Sequence, residues 1–96
     1  MSDRHDEIYK QARDAYGLEF EVGMLQEECA EIIVACSKLL RFPEKENVKK
    51  MFEEIADAEN LFEQMKRWFP DMREYVDEVR AHKLDRLGER IKEGKR

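Results

Sequence analysis

Glycine and proline are scarce in this chain, four and two among 96 residues, which argues against a β-sandwich or barrel. Cysteine is scarce as well. Cys29 and Cys36 lie seven residues apart; on one helix that is about 10 Å, beyond the reach of a disulfide. They are expected as small buried hydrophobes in a reducing compartment. No apolar run approaches the roughly 18 residues of a membrane span, and no basic-then-apolar leader opens the sequence. A cytoplasmic protein with no membrane partner is expected. Basic charge is in deficit, 18 Lys and Arg against 23 Asp and Glu. The net charge of −5 repels phosphate backbones at long range, so no nucleic-acid partner is expected.

What remains is helix-forming: 43% charged and 42% hydrophobic residues, rich in Glu, Lys, Arg, Leu, Met and Ala. Breakers at Gly17, Pro43 and Pro70 divide the chain into four segments. The first, about Ser2 to Tyr16, spaces Ile8, Tyr9, Ala12 and Ala15 or Tyr16 helically. The second, about Leu18 to Leu40, carries Val22, Leu25, Cys29, Ile32, Cys36 and Leu39 in alternating steps of three and four, the seam of a bundle helix. Gly23 within it either admits a close neighbour or marks the true start. The third, about Asn47 to Trp68, repeats the pattern with Val48, Met51, Ile55, Ala58, Phe62, Met65 and Phe69, and Asn47 suits its N-cap. The fourth runs from Pro70, placed in its first turn, to about Lys92, with apolar Val76, Val79, Leu84, Leu87 and Ile91. Short connections favour antiparallel neighbours, so the expected fold is all-α, an up-and-down bundle of about four helices. The chain reads as one domain, with an N-terminal helix (1–16), a core (17–91) and a basic tail (92–96). So short a chain gains burial by oligomerising.

Four acidic residues carry chemistry. Glu28 and Glu31, then Glu54 and Asp57, are each spaced i, i+3, one turn apart on one side of a helix. In a chain with 23 acidic residues such pairs are common on solvated faces; the shared register is the informative part. With Cys29 and Ile55 as a positions, both pairs fall at g and c. Antiparallel packing would let the carboxylates meet at the boundary between core and solvent. Carboxylates so grouped repel unless a cation neutralises them. Oxygen-only ligands select Mg²⁺, Mn²⁺ or Ca²⁺ over softer metals, and Mg²⁺ so held keeps positions for water and substrate phosphates. In the fourth segment Lys83 interrupts the apolar stripe of Met72, Val76, Val79 and Leu87, with Arg86 and Arg90 on an adjoining line. Such cations can bind a triphosphate or lie as snorkelling stems on the surface.

The stretch Glu27-Glu28-Cys29-Ala30-Glu31, followed after 22 intervening residues by Glu54-Ile55-Ala56-Asp57, resembles the ExxE…ExxD signature of the MazG-like all-alpha NTP pyrophosphohydrolase superfamily. The ending Lys83-Leu84-Asp85-Arg86-Leu87 with Arg90-Ile91 is similar to the closing helix of its small phage or bacterial members. Arg41-Phe42 also resembles that branch, and the likeness spans about Gly17 to Ile91. The resemblance implies cleavage of a (d)NTP between the α and β phosphates into (d)NMP and pyrophosphate. It implies Mg²⁺, with Mn²⁺ a possible substitute, on Glu28, Glu31, Glu54 and Asp57, and Glu27 as a carboxylate orienting water or a second ion. Lys83, Arg86 and Arg90 would meet the phosphates. It further implies a homo-oligomer, a dimer or dimer of dimers, with sites at subunit interfaces. Tyr16, Phe20 and Met24 before the first motif, and Asn60 one turn after Asp57, are candidates for a base pocket.

Two other readings stand beside this one. A non-catalytic helical module, binding nucleotide or driving oligomerisation, would use the same seams but leaves the matched acidic pairs and Lys83 unexplained. A phosphoribosyl-ATP pyrophosphatase would share the acidic motif, whereas the Lys83 to Ile91 ending fits the small MazG-like branch better. His5 and His82 have no companions that suggest a ligand set, and Trp68 and Phe69 read as packing or interface residues. The base is not specified by the sequence.

Overall fold

The computed structural model describes residues 2–94. They form four helices, α1 (Asp3–Tyr16), α2 (Leu18–Arg41), α3 (Lys45–Trp68) and α4 (Met72–Lys92), with no strand among the described residues. The all-α expectation holds. Of the expected basic tail, Lys95 and Arg96 lie outside the described residues.

The helix ends follow from local chemistry. Ser2 caps α1, its hydroxyl accepting the His5 N–H at 3.2 Å, and Asp3 and Asp6 stand at the positive end of the helix dipole. Gly17 then turns the chain at φ 84°, a conformation that costs other residues a Cβ clash. Pro43 stops α2, with Phe42 out of helical geometry at φ −133° and ψ 85°. Asn47 is not the N-cap of α3. Glu44 has the extended backbone of a cap, and its carbonyl accepts from Asn47 and Val48 at 3.1 Å. Asn47 instead donates its side-chain amide to the Phe42 carbonyl at 2.7 Å, clamping the start of α3 to the end of α2. Pro70 lies in the turn before α4 rather than in its first turn. Gly23 sits inside α2 with nothing within 4 Å of where a Cβ would be, so neither reason offered for it applies.

α2 and α3 form the central antiparallel pair, and α1 lies across them, mainly against α3. The seam is rotated from the a toward the g positions, with Ala58 and Met65 of the expected α3 seam retained. Glu21, Glu28 and Ala35 are the buried residues of α2; Glu54, Ala58, Leu61 and Met65 are those of α3. The expected a positions turn outward: Cys29 is exposed, Cys36 half-buried, and Ile55 and Phe62 are 40% and 45% exposed. The cysteines are therefore not the buried hydrophobes expected. α3 is apolar over more than one line, whereas the buried line of α2 carries two glutamates beside Ala35. Small Ala35 and Ala58 let the backbones approach, and the bulkier Phe52, Ile55 and Phe62 are left on another face.

That choice leaves little core. Besides those residues, Tyr9 is the one buried apolar side chain among those described. α4 contributes none: it has no buried residue and no extended seam with another helix. An ion pair from Arg73 to Glu63 at 2.7 Å ties its first turn to α3, and Met72 and Val76 flank a groove against Phe62 and Lys66. From Ala81 onward every described residue is exposed. The radius of gyration, 16.5 Å, exceeds the roughly 13 Å of a compact chain of this length.

Candidate functional site

Because Glu28 and Glu54 sit on the helix seam itself, antiparallel pairing brings them face to face. One carboxylate oxygen each from Glu28, Glu54 and Asp57 lies within 4.8 Å of the others. Glu28 is 8% and Glu54 4% exposed, deeper than the core–solvent boundary expected, while Asp57 is open to solvent. Glu31 stands at the exposed rim on the same side of α2 and shares a hydrogen bond with Glu54, which raises its pKa. All four expected ligands thus converge, three of them closely.

Burying like charges is costly unless a proton or a cation relieves it. Here a proton and a lysine do so. Burial, and then hydrogen bonding to Glu54, pushes the Glu28 carboxyl up to about 7. Glu54 is held at about 2, chiefly by the hydrogen bond from Glu28 and then by Lys50, whose ammonium lies 2.9 Å from its Oε1. Even so, Glu28 Oε1 and Glu54 Oε2 are buried without a hydrogen-bond partner. Two orphaned, buried carboxylate oxygens beside a third carboxylate, with no nitrogen or sulfur donor in the group, fit a hard divalent ion.

Around this centre lie three clefts. One, of about 360 Å³, is lined by Met24, Glu27, Glu28, Glu31, Asp57 and Asn60. A second, of about 320 Å³ between α1 and α3, is lined by His5, Ile8, Tyr9, Asn60 and Gln64. A third, of about 310 Å³, opens beyond Glu31 and Glu54 and is bordered by Lys38 and Lys50. Asn60 and Gln64 belong to both of the first two clefts.

The remaining expected residues divide. Met24, Glu27 and Asn60 line the acidic cleft. Tyr16 and Phe20 stack on each other across the α1–α2 corner, ring centres 5.2 Å apart, more than half exposed and outside the acidic cleft. Lys83, Arg86 and Arg90 are exposed on α4, which packs along neither α2 nor the acidic face. Within one chain they do not meet the carboxylates.

Three residues of the site, Lys50, Tyr9 and Gln64, were not anticipated, nor was the burial of Glu21 two turns before Glu28. Lys50 precedes Glu54 by one turn, a spacing that announces an ion pair. Glu21 lies one heptad before Glu28, so the line of Glu21, Glu28 and Ala35 could have been read as a seam. Tyr9 and Gln64 carry no comparable signal, since what brings them together is the angle of α1 across α3. No protein-family model, curated protein or solved structure matches this chain.

Proposed function

We propose that the chain is an Mg²⁺-dependent nucleoside triphosphate pyrophosphohydrolase that cleaves a (d)NTP between its α and β phosphates, releasing (d)NMP and pyrophosphate. The observation that carries this reading is the convergence of Glu28, Glu54 and Asp57 on one point, with two buried carboxylate oxygens lacking any partner. Glu28, Glu54 and Asp57 would hold Mg²⁺, or Mn²⁺ in its place, with Glu31 completing the set from the rim. A divalent ion there supplies neutralisation of phosphate charge and acidifies water. Glu27, exposed beside the cleft, is the carboxylate free to orient water and accept its proton. Lys38 and Lys50 border the adjoining cleft and offer cations to departing phosphates.

A homo-oligomer, a dimer or dimer of dimers, belongs to the same proposal. Phe52, Ile55 and Phe62 on α3, Phe69 just past its end, and Ile33 and Val34 on α2 are at least 40% exposed and offer apolar side chains for a subunit contact. Lys83, Arg86 and Arg90 on the projecting α4 would reach the site of a second copy.

Pyrophosphate release from a panel of (d)NTPs, with phosphoribosyl-ATP included, tests the assignment. Release should require Mg²⁺ or Mn²⁺ and disappear in the Glu54→Gln/Asp57→Asn double variant. Unchanged activity in that variant would remove the ligand assignment. Nucleotide binding without turnover across the panel would mark a non-catalytic module instead.

A further inference from the structure

We infer that Asn60 and Gln64, on successive turns of α3, form a donor–acceptor pair that reads the hydrogen-bonding edge of a nucleobase lodged between α1 and α3. This deepens the proposed function, on which it rests for the class of ligand.

The two amides stand in unlike states. Asn60 Oδ1 accepts the Tyr9 hydroxyl at 2.8 Å, which leaves its Nδ2 as an uncommitted donor. Gln64 Oε1 is buried with no partner, an acceptor lacking a hydrogen. A buried polar group is ordinarily paired. Both side chains line the cleft beside the carboxylates and the cleft under α1, so a ligand spanning the two passes over them. Purines and pyrimidines present an acceptor next to a donor on their pairing edges, the complement of this pair.

The orientation of Asn60 is set from α1. Burial, and then the charge of Glu63, raises the Tyr9 phenol above its ordinary pKa, so the hydroxyl keeps its hydrogen and donates. The ring is fixed in turn by the Arg67 guanidinium, 4.2 Å from its centre. Asp6 at 2.8 Å and Glu63 at 3.2 Å hold that guanidinium. Tyr9 is thus a positioning residue: it selects which end of the Asn60 amide is offered.

Spacing agrees with a nucleotide lying along α3. Asn60 is three residues and Gln64 seven residues beyond Asp57, the latter about 10 Å along the axis. That is comparable to the reach from an α-phosphate to the far edge of its base. Phosphates at the carboxylates would leave the base at this pair, with Met24 beside it.

The test uses the ¹⁵N-labelled full chain without metal, titrated with deoxyadenosine, deoxycytidine, deoxyguanosine, thymidine and deoxyuridine. With at least one nucleoside the side-chain amide signals of Asn60 and Gln64 should move together and saturate. Gln64→Leu should weaken that binding about tenfold. Tyr9→Phe should narrow the preference among nucleosides, because Asn60 is then free to turn over, an effect that loss of packing alone would not give. If no nucleoside moves those two signals, the inference fails, even should triphosphates be cleaved and the proposed function stand. Saturable nucleoside binding at this pair without pyrophosphate release from any triphosphate would sustain the pair and overturn the reaction.

Discussion

Trp68, in the last turn of α3, donates its indole hydrogen to Glu21, near the start of α2 and 0% exposed. The other oxygen of Glu21 is buried with no partner, so the indole is what compensates this carboxylate. Trp68→Phe keeps the ring in place and removes the donor. The expected cost is about 1–3 kcal/mol or more, the penalty of an unsatisfied buried polar group. Glu21→Gln in the Trp68→Phe background should recover part of it, since a neutral amide is cheaper to bury than a carboxylate. Urea denaturation of the four proteins of the cycle measures both effects.

The same pair shows what the sequence conveyed and what it withheld. Helix boundaries were legible within two or three residues because Gly17, Pro43 and Pro70 act through local backbone sterics. Two expectations failed, the cap at Asn47 and the first-turn place of Pro70, and each concerned which residue of a short stretch begins a helix. The seam was harder. Hydrophobicity alone favoured lines through Cys29 and Ile55, and would not select a line on α2 that includes Glu21 and Glu28. The buried line lies at the g positions Glu21, Glu28, Ala35, Glu54 and Leu61, with the expected Ala58 and Met65 kept. The acidic residues survived this rotation because what defined them was their matched register on the two helices. A turn of both seams in the same sense carried them inward together.

Mg²⁺ alone should raise the melting temperature of the chain, because the folded state gathers carboxylates that the unfolded state disperses. At 100 times its dissociation constant, an ion that binds only the folded form adds about 2.7 kcal/mol. Glu54→Gln should abolish the shift. Lys50→Met should tighten Mg²⁺ binding, because the ammonium 2.9 Å from Glu54 competes for the same charge. Calorimetric titration that shows Lys50→Met weakening the ion would refute that competition.

The stability of the metal-free chain should peak in mildly acidic solution. Glu28 titrates at about 7 when folded, above its ordinary 4.5. Between those values the folded state binds more protons than the unfolded, so stability falls as pH rises through that window. Asp6, Glu54 and Glu63 are shifted the other way, by their arginine, lysine and Glu28 partners. Their contribution is present above the unfolded carboxylate range and lost as pH falls below it. Glu28→Gln should flatten the alkaline limb and leave the acid limb. Thermal melts from pH 3 to 8 (roughly the span of these titrations) distinguish the limbs.

Charge placed on the exposed apolar line should separate subunits. Phe62→Lys puts an ammonium where a side chain is 45% exposed in the single chain, so an isolated subunit should tolerate it. If that line is an interface, sedimentation should report a smaller species at equal concentration, with hydrolysis falling alongside. An unaltered sedimentation coefficient would exclude this face.

α4 lacks a buried residue, and in water a lone helix gains little beyond its own hydrogen bonds. Its 21 residues would then owe their order to another subunit. Helix content would then follow mass action: circular dichroism per residue should decline on dilution, at constant temperature and pH, with α1 to α3 still folded.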